Sequence, residues 1–228
     1  MTAVRSFLAR WLALCLFSSP LLAASPEMGE LVLGCLLATM VAFVLGFARL
    51  SGSRWLGVSA RIFMEFFRGT SVFVQLFWAY FVLPLFGVEL SPFQAGVLVL
   101  GLNSGAYASE IVRTAMLALP RDQYEACIAL NLNKLQRLRY VLVPQALRLM
   151  VPPFANSYVE LLKATSIVSL ISLSDMTFRA QTVRVQTGEA AIPFLTILIV
   201  YFMLALCISG LMRILERRLT PRTFKAGL

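Results

Sequence analysis

Residues 113–148, RTAMLALPRDQYEACIALNLNKLQRLRYVLVPQALR, form the longest polar segment of a chain that is otherwise largely apolar. Six bases (Arg113, Arg121, Lys134, Arg137, Arg139, Arg148) stand here against two acids, Asp122 and Glu125. Pro120-Arg121-Asp122 reads as a helix start: proline suits the first turn, and an acid is favoured at the positive end of the helix dipole. Tyr124, Ala126, Cys127 and Leu130 recur at helical spacing, and Asn131 falls where a left-handed C-cap would end that helix. A second short helix is expected from Leu132 to Val143, closed by Pro144. The simplest explanation of such a basic helical pair between apolar runs is a cytoplasmic loop that orients the flanking spans.

The rest of the composition agrees. Of 228 residues 59% are hydrophobic, and the mean hydropathy is +0.82. A soluble domain of this make-up could not keep its surface polar. Apolar runs near the ~20 residues needed to cross about 30 Å of hydrocarbon recur along the chain, and strand alternation is absent. The fold class expected is all-α, a polytopic helical membrane protein. The net charge of +9 is orientation information rather than a nucleic-acid signal, because the bases gather in certain connectors and avoid others. There is no histidine, and the four cysteines (Cys15, Cys35, Cys127, Cys207) show no CxxC spacing, so neither a metal site nor a disulfide framework is expected. The three lysines (Lys134, Lys163, Lys225) lie outside any Walker-type phosphate loop. If ATP drives this protein, another subunit binds it.

Taken in order, residues 1–24 have two arginines (Arg5, Arg10), an apolar run and small residues at the end. This fits a secretory signal peptide or an additional N-terminal span, and we favour retention. Residues 25–228 then form the membrane domain. A first span is expected over Leu31–Phe47, followed by a connector holding Arg49, Arg54, Arg61 and Arg68. A second is expected over Thr70–Phe86, with Glu89 and no base in its exit loop, and a third over Phe93–Val112. After the basic segment a fourth is expected over Leu149–Leu173, then a short interfacial helix within 174–191, and a fifth over Ile192–Met212. The basic clusters fall on one side, which puts the 113–148 segment and the C-terminal tail in the cytoplasm.

Polar residues recur within these spans, where they need a partner or water. Asn103, Tyr107, Glu110 and Thr114 make one stripe about 60° wide at helical spacing. Asn156, Glu160 and Lys163 make another, with Ser166 at its margin, and Ser71 and Gln75 add a third above Arg68. They read as walls of a solute route with both signs of charge. Read structurally, they are glue between helices, with Glu160 and Lys163 neutralising each other and Glu110 pairing with Arg113.

Glu125-Ala126-Cys127, Asn131 and Val141-Leu142-Val143-Pro144 resemble the EAA loop of ABC importer permeases, in the spacing found in the polar amino acid group. Phe67-Arg68-Gly69-Thr70-Ser71, Val74-Gln75-Leu76-Phe77, Leu102–Tyr107 with Glu110-Ile111, Leu161–Ser166 and Leu215–Leu219 are also similar to segments of that group, so the likeness covers residues 29–220. Departures are Cys127 for Ala, Asn131 for Gly, Ser71 for Pro, Thr114 and Asp122 where Gly is frequent, and Ala164 where an acid is common. The resemblance implies the five-helix core of a type I importer permease. It further implies a dimer of ABC ATPases beneath, a second permease subunit (a paralogue rather than a copy) and an extracytoplasmic solute-binding protein. ATP and Mg would be used by the ATPase, with no cofactor on this chain. The loop would dock on the ATPase through Tyr124, Glu125, Ala126, Cys127, Asn131, Leu135, Arg137, Arg139 and Pro144. Rival classes are an ion-gradient transporter using Glu110 and Glu160, disfavoured by an odd span number without an inverted repeat, and a non-transporting scaffold, which would not need polar stripes.

Overall fold

The computed structural model describes residues 26–171, 176–188 and 190–219, which are helical and contain no strand. The N-terminal segment 1–24 lies outside them. Helix α1 (Pro26–Leu50) is followed by α2 (Arg54–Gly69). Then comes α3 (Val72–Phe77), extended by a π-helical stretch (Trp78–Val82) and a 3-10 turn (Leu83–Phe86). Helix α4 (Pro92–Leu117) opens on a capping box in which Ser91 and Gln94 each bond the other's backbone N–H. Helices α5 (Arg121–Ala129) and α6 (Lys134–Gln136) form the polar segment. A π-helical stretch (Arg137–Leu142) leads into α7 (Val143–Thr165) and a 3-10 turn (Ser166–Ile171). Helices α8 (Met176–Thr187) and α9 (Ala191–Leu219) complete the described chain.

By length and composition, three of these helices cross a membrane alone: α1 from Met28, α4 and α9. The count reaches the expected five if each of two bent pairs is one span. The first pair, Arg54–Gly69 with Val72–Phe86, bends by 99°. The expected second span is therefore not a free-standing rod, and the basic connector before it is a helix. The second pair joins Lys134–Ile171 to Met176–Gln186, and α8 occupies the place of the expected interfacial helix.

Pro144 does not close a helix as expected. It sits in the first turn of α7, where a missing N–H is tolerated, and the π-helical stretch just before it absorbs the disturbance to the i→i−4 ladder. A continuous path thus runs from Lys134 through α7.

The core lies where α1, α4 and α7 meet. Ala42, Ala108, Val112, Ala146, Met150 and Phe154 are buried there. The small side chains let backbones approach closely, which matters in a bilayer where lipid is as apolar as leucine. A Cβ built on Gly105 would stand 2.7 Å from Val41 Cβ and 2.9 Å from the Ala38 carbonyl, and one on Gly101 would stand 2.7 Å from Leu37. The sequence signal was a G-x-x-x-G at 101–105, which the stripe reading passed over. A second cluster joins Leu76 and Ala79 of the broken span to Ala95, Val99 and Leu100 of α4 and to Val168 and Ile171. Helix α9 packs on α7 but buries none of its residues fully, leaving an apolar surface for lipid or another subunit.

Candidate functional site

The polar segment folds into a hairpin pinned at its turn. At the end of α5 the Leu132 N–H donates to the Cys127 carbonyl over 3.1 Å and the Asn131 N–H to Ile128 over 2.8 Å. This six-to-one, five-to-two pair is a Schellman closure, and it needs a left-handed residue between its bonds. Asn131 supplies it at φ 53°, the single positive-φ non-glycine among the described residues. Two residues later Asn133 starts the next helix with a capping box: the Gln136 N–H donates to Asn133 Oδ1 over 2.8 Å, and the Asn133 N–H to Gln136 Oε1 over 2.9 Å. Sequence reasoning missed this cap, although N-x-x-Q is its signature.

The residues expected to dock divide into two sets. Tyr124, Glu125, Ala126, Asn131, Leu135 and Arg139 are exposed. Cys127 is 3% exposed and faces the body of the protein, so it supports the hairpin rather than surfacing it. Arg137 also turns inward: its Nε donates to the Leu132 carbonyl over 2.7 Å, and its guanidinium lies 5.2 Å from the Tyr124 ring centre. Pro144 belongs to the α7 path. Ile128 and Leu130 (73% exposed) were not foreseen, yet with Tyr124 and Leu135 they make an apolar surface on an otherwise polar unit. Beneath it, Gln145 of α7 donates to Gln123 of α5, tying the hairpin to the long helix.

The three polar stripes behave differently from one another. Gln75, Asn103 and Tyr107 come together at the break between α2 and α3. A helix leaves its last carbonyls without intrahelical partners, and these side chains supply the missing donors. Asn103 Nδ2 donates to the Phe67 carbonyl at 3.0 Å and to Gln75 Oε1 at 3.2 Å, while Gln75 Nε2 donates to Phe67 at 3.0 Å and to Thr70 Oγ1 at 2.6 Å. Tyr107 donates to the Arg68 carbonyl over 3.3 Å and lies under the Arg68 guanidinium. Ser71 sits exposed at the start of α3 with no side-chain cap bond.

Glu110 stands apart from this group. It accepts from Arg49 of α1 and, over 2.9 Å, from Arg113, so the pairing with Arg113 holds and a further base joins it from 61 residues away. Arg49 Nη1 also lies 3.1 Å from Met64 Sδ of α2, which places three elements at one charged node. On α7, Asn156, Glu160 and Lys163 form an exposed stripe. Mutual neutralisation of Glu160 and Lys163 is not observed, since no ion pair joins them among the described residues. Ser166 turns its hydroxyl back onto the Lys163 carbonyl at 2.8 Å.

The model of the family described as binding-protein-dependent transport system inner membrane component matches residues 31–221. A probable amino-acid ABC transporter permease protein, y4tF of Sinorhizobium fredii, is 43% identical over 78% of this chain and 77% of its own length. The glutamine transport system permease protein GlnP of Escherichia coli is 34% identical over 82% and 87%. Among solved structures, an amino acid ABC transporter with histidines superposes with a TM-score of 0.79 at 30% identity, covering 91% of this chain and 98% of that one. The MetNI methionine ABC transporter, at 17% identity and a TM-score of 0.74, shares the fold. With hairpin, span pattern and relatives in agreement, this chain belongs to the inner-membrane permease family of binding-protein-dependent ABC importers, whose members span the membrane while a separate subunit hydrolyses ATP.

Proposed function

We propose that the chain carries polar amino acids or related zwitterionic solutes across the bacterial inner membrane, as one of two permease subunits above an ATPase dimer. The observation that carries this reading is the α5–α6 hairpin. It is closed by the Asn131 turn, stacked internally through Arg137 and Tyr124, and fastened to α7 through Gln123 and Gln145. A unit so braced moves as a body. A pull on its exposed face (Tyr124, Glu125, Ile128, Leu130, Leu135) passes along α7 to the stripe holding Glu160 and Lys163. ATP binding would close the ATPases, draw the two hairpins together and favour the outward-open state, and hydrolysis would reset it.

The solute class is supported by the relatives' names and by the stripe, where a carboxylate and an ammonium with no ion pair among the described residues stand three residues apart. Asn156, Glu160, Lys163 and Ser166 are proposed to face the solute. Gln75, Asn103 and Tyr107, with Ser71 beside them, form the wall that holds the broken span. A periplasmic binding protein would deliver the solute, and the partner permease is proposed to be a paralogue, with both C-termini in the cytoplasm.

The test is ATPase activity in lipid nanodiscs of the chain with its ATPase and partner permease, comparing wild type with Glu125→Lys. Loss of solute-stimulated turnover in a variant that still inserts and accumulates supports the reading. Unchanged stimulation, or an ATPase that never associates with wild type, overturns it.

A further inference from the structure

Helix α2 presents three different faces. At 100° per residue Arg54, Arg61 and Arg68 fall within about 40° of one another, with Glu65 on the same ridge. Ala60 and Met64 are buried on a second side, against the protein. The third side is apolar and open: Trp55 is 86% exposed, and Leu56, Val58, Ile62 and Phe66 are exposed around it. Neither Arg54 nor Arg61 has an acidic partner among the described residues, whereas Arg68 is engaged over Tyr107. The helix axis lies across that of the following segment, at 99°. Arg54 follows the end of α1 by four residues, so the start of α2 lies at the membrane face where the first span emerges.

We propose that the first half of α2 is a binding surface for anionic phospholipid headgroups. Trp55 and its apolar neighbours rest at the headgroup–acyl boundary, and Arg54 and Arg61 hold lipid phosphate. A wide apolar arc, a tryptophan and an arginine ridge, on a helix bent 99° from the segment that follows it, are what an interfacial helix requires. Guanidinium is the side chain best matched to phosphate oxygens, and the ridge keeps a net positive charge despite Glu65. A soluble or protein partner would need acidic groups to meet this ridge. The bilayer offers phosphate and hydrocarbon together, in the order in which the helix displays them. The inference does not depend on which solute is carried.

Two measurements on the full-length chain test it. In a Trp11→Phe, Trp78→Phe background, the Trp55 emission should be quenched by phosphatidylcholine brominated near the headgroup end of its acyl chains. An unquenched Trp55 would mean that protein covers this face, and the proposal would fall. Native mass spectrometry from nanodiscs of phosphatidylcholine and phosphatidylglycerol in equal parts should show phosphatidylglycerol enriched on the wild type. That enrichment should drop by about five-fold for each arginine removed in Arg54→Gln and Arg61→Gln, and should persist in the matching lysine variants. Both arginines are exposed and form no ion pair among the described residues, so these variants keep the fold. Equal enrichment in wild type and the double glutamine variant would overturn the assignment.

Discussion

Glu110 holds two arginines of unequal enclosure. Arg49 has a side chain 10% exposed, while Arg113 and Glu110 are 36% and 37% exposed. Replacing Glu110 by Gln leaves Arg49 enclosed without its counter-charge, a loss of about 1–3 kcal/mol for a charged hydrogen bond. Replacing Arg113 by Gln removes only a solvent-screened pair, worth below about 1 kcal/mol. The melting temperature of the solubilised protein should therefore fall clearly for Glu110→Gln and little for Arg113→Gln, and equal falls would count against the node. Asn131 offers a second comparison. Asn131→Gly keeps the left-handed turn and should leave stability within a few tenths of a kcal/mol. Asn131→Val forces a β-branched residue into it at about 1–2 kcal/mol, visible as faster proteolysis of the hairpin. Asn131 was legible in the sequence because it follows a helical run at the one place where its backbone tolerance is useful. The partner of Glu110 was half legible: Arg113 lies one turn away, but nothing in local spacing points to Arg49.

Hydropathy reports how greasy a segment is and not which way it runs, so the elements were read less completely than the residues. The five apolar stretches were visible, but the 99° bend before Val72 was not. At that bend the last turn of α2 has the carbonyls of half-buried Phe67 and of Arg68 served by Asn103, Gln75 and Tyr107. A polar stripe looks alike in sequence whether it meets a solute or a helix end, so spacing alone does not point to these bonds. Asn103→Ala should leave a carbonyl and the Gln75 amide short of partners and lower stability by about 1–3 kcal/mol, measured by thermal unfolding. Asn103→Asp, which cannot donate, should be no better. Pro144 departs from its expected place for a local reason. Proline in a helical run is expected to stop it, but two residues after a π-helical stretch and in the first turn of α7 Pro144 leaves the path continuous.

At the scale of the whole molecule, the bases of α2, the hairpin and the end of α9 should share one face of the membrane, opposite Gly87–Pro92. In a cysteine-free background, Val88→Cys should react with a membrane-impermeant maleimide on intact cells, and Arg218→Cys only after lysis. The reverse pattern would invert the topology. This assembly was legible because charge asymmetry between connectors, unlike packing, is written in composition. The tight seam of α1 on α4 was not, and it has a genetic corollary. Every first- or second-position base change in a glycine codon that still encodes an amino acid adds at least a Cβ. At Gly105 that atom would meet Val41 and the Ala38 carbonyl, whereas at Gly52 and Gly57 nothing stands within 4 Å. Codon 105 should therefore tolerate silent third-position changes alone, while codons 52 and 57 drift, so a saturation library selected for uptake would show a sharp gap at one glycine and none at the other two.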